Sequence, residues 1–149
     1  MVAKTAEKED RSFKEGLEDI VAAESAICYI DGERGVLSYR GYDIHDLAEK
    51  SSFEETCFLL WEGRLPSALE LAELKAGLGA ERGVPEEILS LLRGFLEHRM
   101  IPMDALRTAV SALCETDPDV ASNAPEANRR KALRLTARMA TLVAAIHRL

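Results

Sequence analysis

The sequence predicts a mainly α-helical fold with a small β-hairpin or meander near its start, and three observations lead there. Capping boxes of the form Ser-x-x-Glu are read at Ser52/Glu55 and Ser67/Glu70, each directly ahead of apolar residues at helical spacing. From Glu126 to Leu149 the chain carries no glycine or proline and is rich in alanine, leucine and arginine, the composition of one long helix. Runs that favour β-structure, punctuated by glycine turns, are confined to the segment before Asp43.

Each element follows in chain order. Residues 1–15 are dominated by lysine and glutamate and read as a flexible arm, with order expected from about Gly16. Ile20–Ala23 and Ala26–Ile30 are strand-like, Asp31-Gly32-Glu33-Arg34-Gly35 is a turn, and Val36–Tyr39 resumes the strand pattern. So small a ribbon buries too little surface to stand alone and needs a larger body to lie on. In that segment Tyr39 and Tyr42 are expected to pack the strand and turn against helices, with Gly41 allowing the bend.

Asp43 is a helix cap for Ile44–Glu49, with Asp46 in the first turn, where negative charge suits the helix dipole. The first capping box opens a helix through Trp61 that Gly63 ends, and the second opens a helix to about Leu78. Pro85 marks the start of a helix running to about His98, and Pro102 the start of another that carries Leu106, Ala109, Val110 and Leu113. Thr116 to Pro125, with Asp117-Pro118 and Ser122-Asn123-Ala124-Pro125, reads as a solvated connection or hinge.

The last helix has a distinctive distribution. At about 100° per residue, Arg130, Lys131, Arg134, Arg138 and Arg148 share one quadrant, while Leu133, Leu135, Met139, Ala140, Leu142, Val143 and Ala144 fill most of the remainder. A basic quadrant of this kind is expected to be solvated or salt-bridged, with contact to an anionic ligand as the alternative. The broad alanine-rich face suits close helix packing and requires a partner surface, from the same chain or a second copy. No stop signal follows Leu149, so the end reads as a cut.

Composition narrows the function classes. A net charge of −7, from 26 acids against 19 bases, disfavours general affinity for nucleic acid or an anionic membrane. There is neither an apolar run of membrane-spanning length nor a secretory leader pattern, so a cytoplasmic protein is expected. Cys28, Cys57 and Cys114 lack the close spacing of zinc ligands and are expected to be buried thiols in a reducing compartment.

Candidate chemistry is sparse. His45, His98 and His147 fall on three different predicted helices, where a surface role, a helix-end role and a buried or interface hydrogen-bonding role respectively explain them without catalysis. Glu54-Glu55 and Glu86-Glu87 occupy first turns and are explained by the helix dipole. No zinc-hydrolase, serine-hydrolase or phosphate-loop motif is present.

Several blocks together resemble the citrate synthase family: Ile30-Asp31-Gly32, the run from Leu37 to Glu49, Ser51–Thr56, Leu59-Leu60-Trp61-Glu62-Gly63-Arg64-Leu65-Pro66, and Ile101-Pro102-Met103-Asp104-Ala105-Leu106-Arg107-Thr108 with the residues after it. Their order is the family's, and the resemblance covers residues 16–149, identified as the amino-terminal part of a large helical domain truncated at its carboxyl end. It implies condensation of acetyl-CoA with oxaloacetate to citrate, a homodimer formed through helices near 103–115 and 128–149, and acetyl-CoA as a substrate rather than a bound cofactor. Two histidines and an aspartate do the family's chemistry, in motifs downstream of the matched blocks. No catalytic, cofactor-binding or metal residue is therefore carried over, and the 149-residue chain by itself is expected to be inactive. A 2-methylcitrate synthase using propionyl-CoA and a non-catalytic dimerisation module are the alternatives.

Overall fold

The structure, a computed structural model, describes residues 23–149. The expected arm at 1–15 and the strand-like residues Ile20 to Ala22 lie outside the described residues. Three strands, β1 (Cys28–Asp31), β2 (Val36–Tyr39) and β3 (Tyr42–Asp43), form an antiparallel meander in the order β1-β2-β3. Six α-helices follow: α1 (Ile44–Lys50), α2 (Phe53–Glu62), α3 (Ala68–Ala80), α4 (Glu86–Glu97), α5 (Pro102–Ala112) and α6 (Pro125–Arg148). A 3-10 turn at Leu113–Thr116 extends α5.

Local chemistry sets the meander. The Asp31 carboxylate accepts from the Arg34 amide, and Gly35 takes the positive φ that closes the β1–β2 turn, pairing Cys28 with Tyr39 and Asp31 with Val36. Between β2 and β3 both linking residues, Arg40 and Gly41, have positive φ, as the tightest hairpin turns require. Arginine is an uncommon choice there. Its backbone N–H donates to the Ile27 carbonyl, and its guanidinium donates to the carbonyls of Ala26 and, at 3.0 Å, Leu60 at the end of α2. Arg40 thus ties the ribbon to the helical body. Tyr39 is half-buried as expected, whereas Tyr42, on the two-residue β3, remains 41% exposed.

Helix starts follow the capping signals. Asp43 accepts from the His45 amide, and both capping boxes are complete, with Ser52 and Ser67 accepting from the amides of Glu55 and Glu70 while those glutamates accept from the serine amides. Gly63 stops α2 in the left-handed conformation, its N–H bonded to the Leu59 carbonyl. Proline opens α5 and α6 at a position where its missing N–H costs nothing.

Two apolar clusters make the core. One joins Ile88 and Leu92 of α4, Ala105 and Ala109 of α5, Leu113, and Leu142 of α6; the other joins Phe58 of α2, Leu74 and Leu78 of α3, and Ala137 of α6. Helix α6 belongs to both and is the spine of the described fold. Small side chains allow close approach: a Cβ on Gly77 would sit 3.4 Å from the Leu133 side chain. Arg129 adds a polar seam, pairing with Glu62 at 2.9 Å and stacking over the Trp61 ring at 4.6 Å.

The cysteines depart from expectation. Cys28 and Cys114 are exposed and only Cys57 is partly buried. Cys28 lies on an edge strand whose first three residues face solvent, and Cys114 follows the core residue Leu113 on the outer side of the 3-10 turn.

Candidate functional site

The three histidines stand on separate elements: His45 in the first turn of α1, His98 at the end of α4 and His147 in the last turn of α6. All are exposed, so none occupies the desolvated cleft in which an acid-base group is tuned. The acidic pairs serve helix starts. Glu55 completes a capping box, and Glu86 pairs with Arg93 on the surface. Among the described residues, no group of three or more His, Cys, Asp or Glu could hold a metal ion.

The principal polar constellation lies between the loop after α5 and one side of α6. Arg134 makes a two-pronged contact with Asp117, Nε to Oδ2 at 3.0 Å and Nη2 to Oδ1 at 2.7 Å, and a further bond to Asp119 Oδ2 at 2.6 Å. Arg130 grips Asp119 from the preceding turn of the helix, Nε to Oδ2 at 2.9 Å. The Lys131 ammonium donates to the Ser122 carbonyl and the Asn128 amide to the Asn123 carbonyl. The side chains of Arg134, Asp117 and Asp119 retain only 9%, 10% and 14% exposure, so water competes weakly for these bonds. The Arg134 guanidinium holds the Asp117 carboxyl below its usual range, and Arg130 and Arg134 together do the same to Asp119.

These contacts redefine the loop. Thr116–Pro125 is solvent-facing in composition but is strapped to α6 through two aspartates, a role the sequence reading missed. The signal available was an Asp-x-Asp spacing followed by two arginines four residues apart on one helical face. The salt-bridged reading of the basic quadrant holds for Arg130, Arg134 and Arg138, the last facing Glu81 at 3.8 Å. These three guanidiniums are thus engaged internally with carboxylates.

The same geometry turns α6 in an unexpected sense. Arg134 is buried with Ala127, Ala137 and Leu142, whereas Leu135, Met139 and Val143, on the stripe that begins beside Leu142 and runs away from the core, are 40%, 38% and 50% exposed. Those three recur every four residues and form a continuous apolar stripe. Met103 at the start of α5 is also exposed, while Ala105, Ala109 and Leu113 face the internal core.

The family model described as "Citrate synthase, C-terminal domain" matches residues 16–149. The chain belongs to the citrate synthase family. Citrate synthase 2 of Bacillus subtilis is 46% identical over 134 residues, covering 90% of this chain and 36% of that protein. The 2-methylcitrate synthase of Mycobacterium tuberculosis is 43% identical over 132 residues, covering 89% of this chain and 33% of that one. Among solved structures, citrate synthase from Pyrobaculum aerophilum superposes with a TM-score of 0.82 at 34% identity, over 89% of this chain and 35% of the other. The expected mainly helical citrate synthase scaffold with a small antiparallel sheet is thereby shown. The chain spans about a third of the length of these citrate synthase family relatives.

Proposed function

We propose that this chain is the amino-terminal part of the large helical domain of a citrate synthase, condensing acetyl-CoA with oxaloacetate to give citrate and CoA in the cytoplasm. The observation that carries the reading is the match along residues 16–149, joined to 46% identity with a citrate synthase over nine-tenths of the chain. No described helix is long and apolar enough to cross a membrane, which accords with a cytoplasmic setting.

Within that reaction the chain's own part is structural. Making a carbon nucleophile from a thioester needs a base at the carbon, a donor on the carbonyl oxygen and convergent cations for the dicarboxylate. Here the histidines are dispersed and exposed, and Arg130, Arg134 and Arg138 are committed to Asp119, Asp117 and Glu81. Acetyl-CoA enters as substrate, and neither a resident cofactor nor a metal is assigned to this chain. The outward stripe of α6, with Met103 on α5, supports association with a second copy through the segments near 103–115 and 128–149.

The test uses the purified 149-residue chain with oxaloacetate and acetyl-CoA, following release of the CoA thiol. No turnover is expected. A chimera with residues 16–149 in place of the matching segment of the B. subtilis enzyme should instead form citrate. Turnover by the chain alone, or a folded but inactive chimera, would overturn the scaffold reading. The 43% identity to a 2-methylcitrate synthase favours a second reading, in which propionyl-CoA replaces acetyl-CoA in the gene product containing this chain.

A further inference from the structure

We propose that the Arg134–Asp117–Asp119–Arg130 clasp sets the rotation of α6 about its own axis, holding Leu135, Met139 and Val143 outward against their tendency to enter the core. An amphipathic helix ordinarily buries its apolar side and leaves its charges in water. Helix α6 departs from this in part: its middle turns bury Arg134 to 8% residual exposure together with Ala137 and Leu142, while leaving Met139 at 38% and Val143 at 50%.

A competing setting is available within the same helix. At about 100° per residue, the inward direction now runs through Arg134, Arg138 and Ala145; a turn of roughly a quarter-circle would replace them with Leu135, Ile146 and Met139. Leu142 stands near the boundary and stays inside in both settings, so apolar packing at that position discriminates weakly between them. The clasp discriminates strongly. Turning α6 would draw Arg134 away from Asp117 and Asp119, which retain 10% and 14% exposure, and would leave Asp117 with only the Asp119 amide as donor and both carboxylates without their counter-charges.

Geometry makes the clasp directional as well as attractive. Two guanidinium forks, one helical turn apart, converge on Asp119, and the Arg134 fork also spans Asp117. A planar fork bonding two oxygens resists rotation in a way that a single point charge does not. Lys131 and Asn128 add bonds to the carbonyls of Ser122 and Asn123, tying the strap over two turns of the helix. Farther along, Thr141 donates to the Arg82 carbonyl at 2.9 Å on the same inward side. The use of the outward stripe in assembly rests on the association proposed above; the rotational setting does not.

The experiment reads the two faces with thiol reporters in a background of Cys28→Ser, Cys57→Ala and Cys114→Ser. Ala137→Cys reports the inward side, where Ala137 packs with Phe58, Leu74 and Leu78, and Met139→Cys reports the outward stripe. Labelling is followed at a dilution where light scattering shows a single species, with and without the pair Asp117→Asn and Asp119→Asn. With the clasp cut, position 137 should react about tenfold faster and position 139 severalfold slower while far-UV circular dichroism shows helix retained. Opposite shifts are the signature of rotation. Unchanged rates, or acceleration at both positions in a helical protein, would overturn the proposal, since simple loosening does not protect residue 139. If the double variant unfolds, Asp119→Asn alone, which keeps the Arg134–Asp117 pair, is read by the same criterion. Light scattering reports association separately, so failure to dimerise leaves the reporter result standing.

Discussion

Leu135→Ala and Leu142→Ala are the same substitution on the same helix, about 20° apart around its axis, yet they should differ sharply in cost. Leu142 has no exposed surface and fills the junction of Ile88, Leu92, Ala105, Ala109 and Leu113, whereas Leu135 is 40% exposed. Truncating a fully buried leucine removes its transfer free energy and leaves a cavity, a sum of roughly 2–5 kcal/mol. The three-helix junction has little freedom to collapse, so about 3 kcal/mol is expected for Leu142→Ala. Leu135 already shares its surface with water and leaves no enclosed void, so about 0.5–1 kcal/mol is expected. Intrinsic helix propensity cancels between the two, and the difference of about 2 kcal/mol isolates tertiary burial. Against a domain stability of roughly 5–15 kcal/mol, this is readily measured by urea unfolding followed by circular dichroism, run dilute enough to exclude association. Equal losses within about 0.5 kcal/mol, or a Leu142→Ala cost below about 1 kcal/mol, would refute the assignment of Leu142 to the core.

Two further outcomes follow from the charges and thiols. Hydrogen bonds from Arg64, and then from the Ser67 backbone and hydroxyl, hold the Glu70 carboxyl at about 2, below its ordinary 4.5. A lowered folded value stabilises above the unfolded value and is lost as pH falls through the folded one. The stability gap between the parent chain and Glu70→Gln should therefore be constant above about pH 5 and close between about pH 4.5 and 2; urea midpoints that keep the gap at low pH would contradict this. For the thiols, Cys28 and Cys114 are exposed, whereas burial, reinforced by Glu54, pushes the Cys57 thiol up. A thiolate-directed reagent should label Cys28 and Cys114 first and Cys57 at least about tenfold more slowly, and uniform rates across the three would contradict the structure.

The legible parts of the fold were those governed by neighbours in sequence. Ser52 with Glu55 and Ser67 with Glu70 act within one helical turn, and Gly63 and Pro102 act through their own backbone, so the starts of α2, α3 and α5 and the stop of α2 could be read directly. Thr116–Pro125 was misread in part, since its polar composition is shared by free loops and by loops fastened through side-chain carboxylates. The fastening depends on where Arg130 and Arg134 arrive in space. Cys114 likewise carries the burial expectation of a free thiol, but the 3-10 turn sends Leu113 inward and Cys114 outward. The candidate site was legible mainly as an absence of convergence, because three histidines on three helices offered no constellation and the structure leaves them apart.

Sequence alone determined the helical class, the capped helix starts, a small β element before the helices and the family, because capping chemistry, glycine conformation and block order are carried by residues close together in the chain. Tertiary structure decided the facing of α6. Apolar residues occupy most of that helix, so periodicity admits more than one buried side. The buried side carries Arg134, satisfied by Asp117 and Asp119 of another segment, an interaction between groups 11 to 17 residues apart whose Asp-x-Asp and Arg-x-x-x-Arg spacings suggest a pairing but do not place it in space.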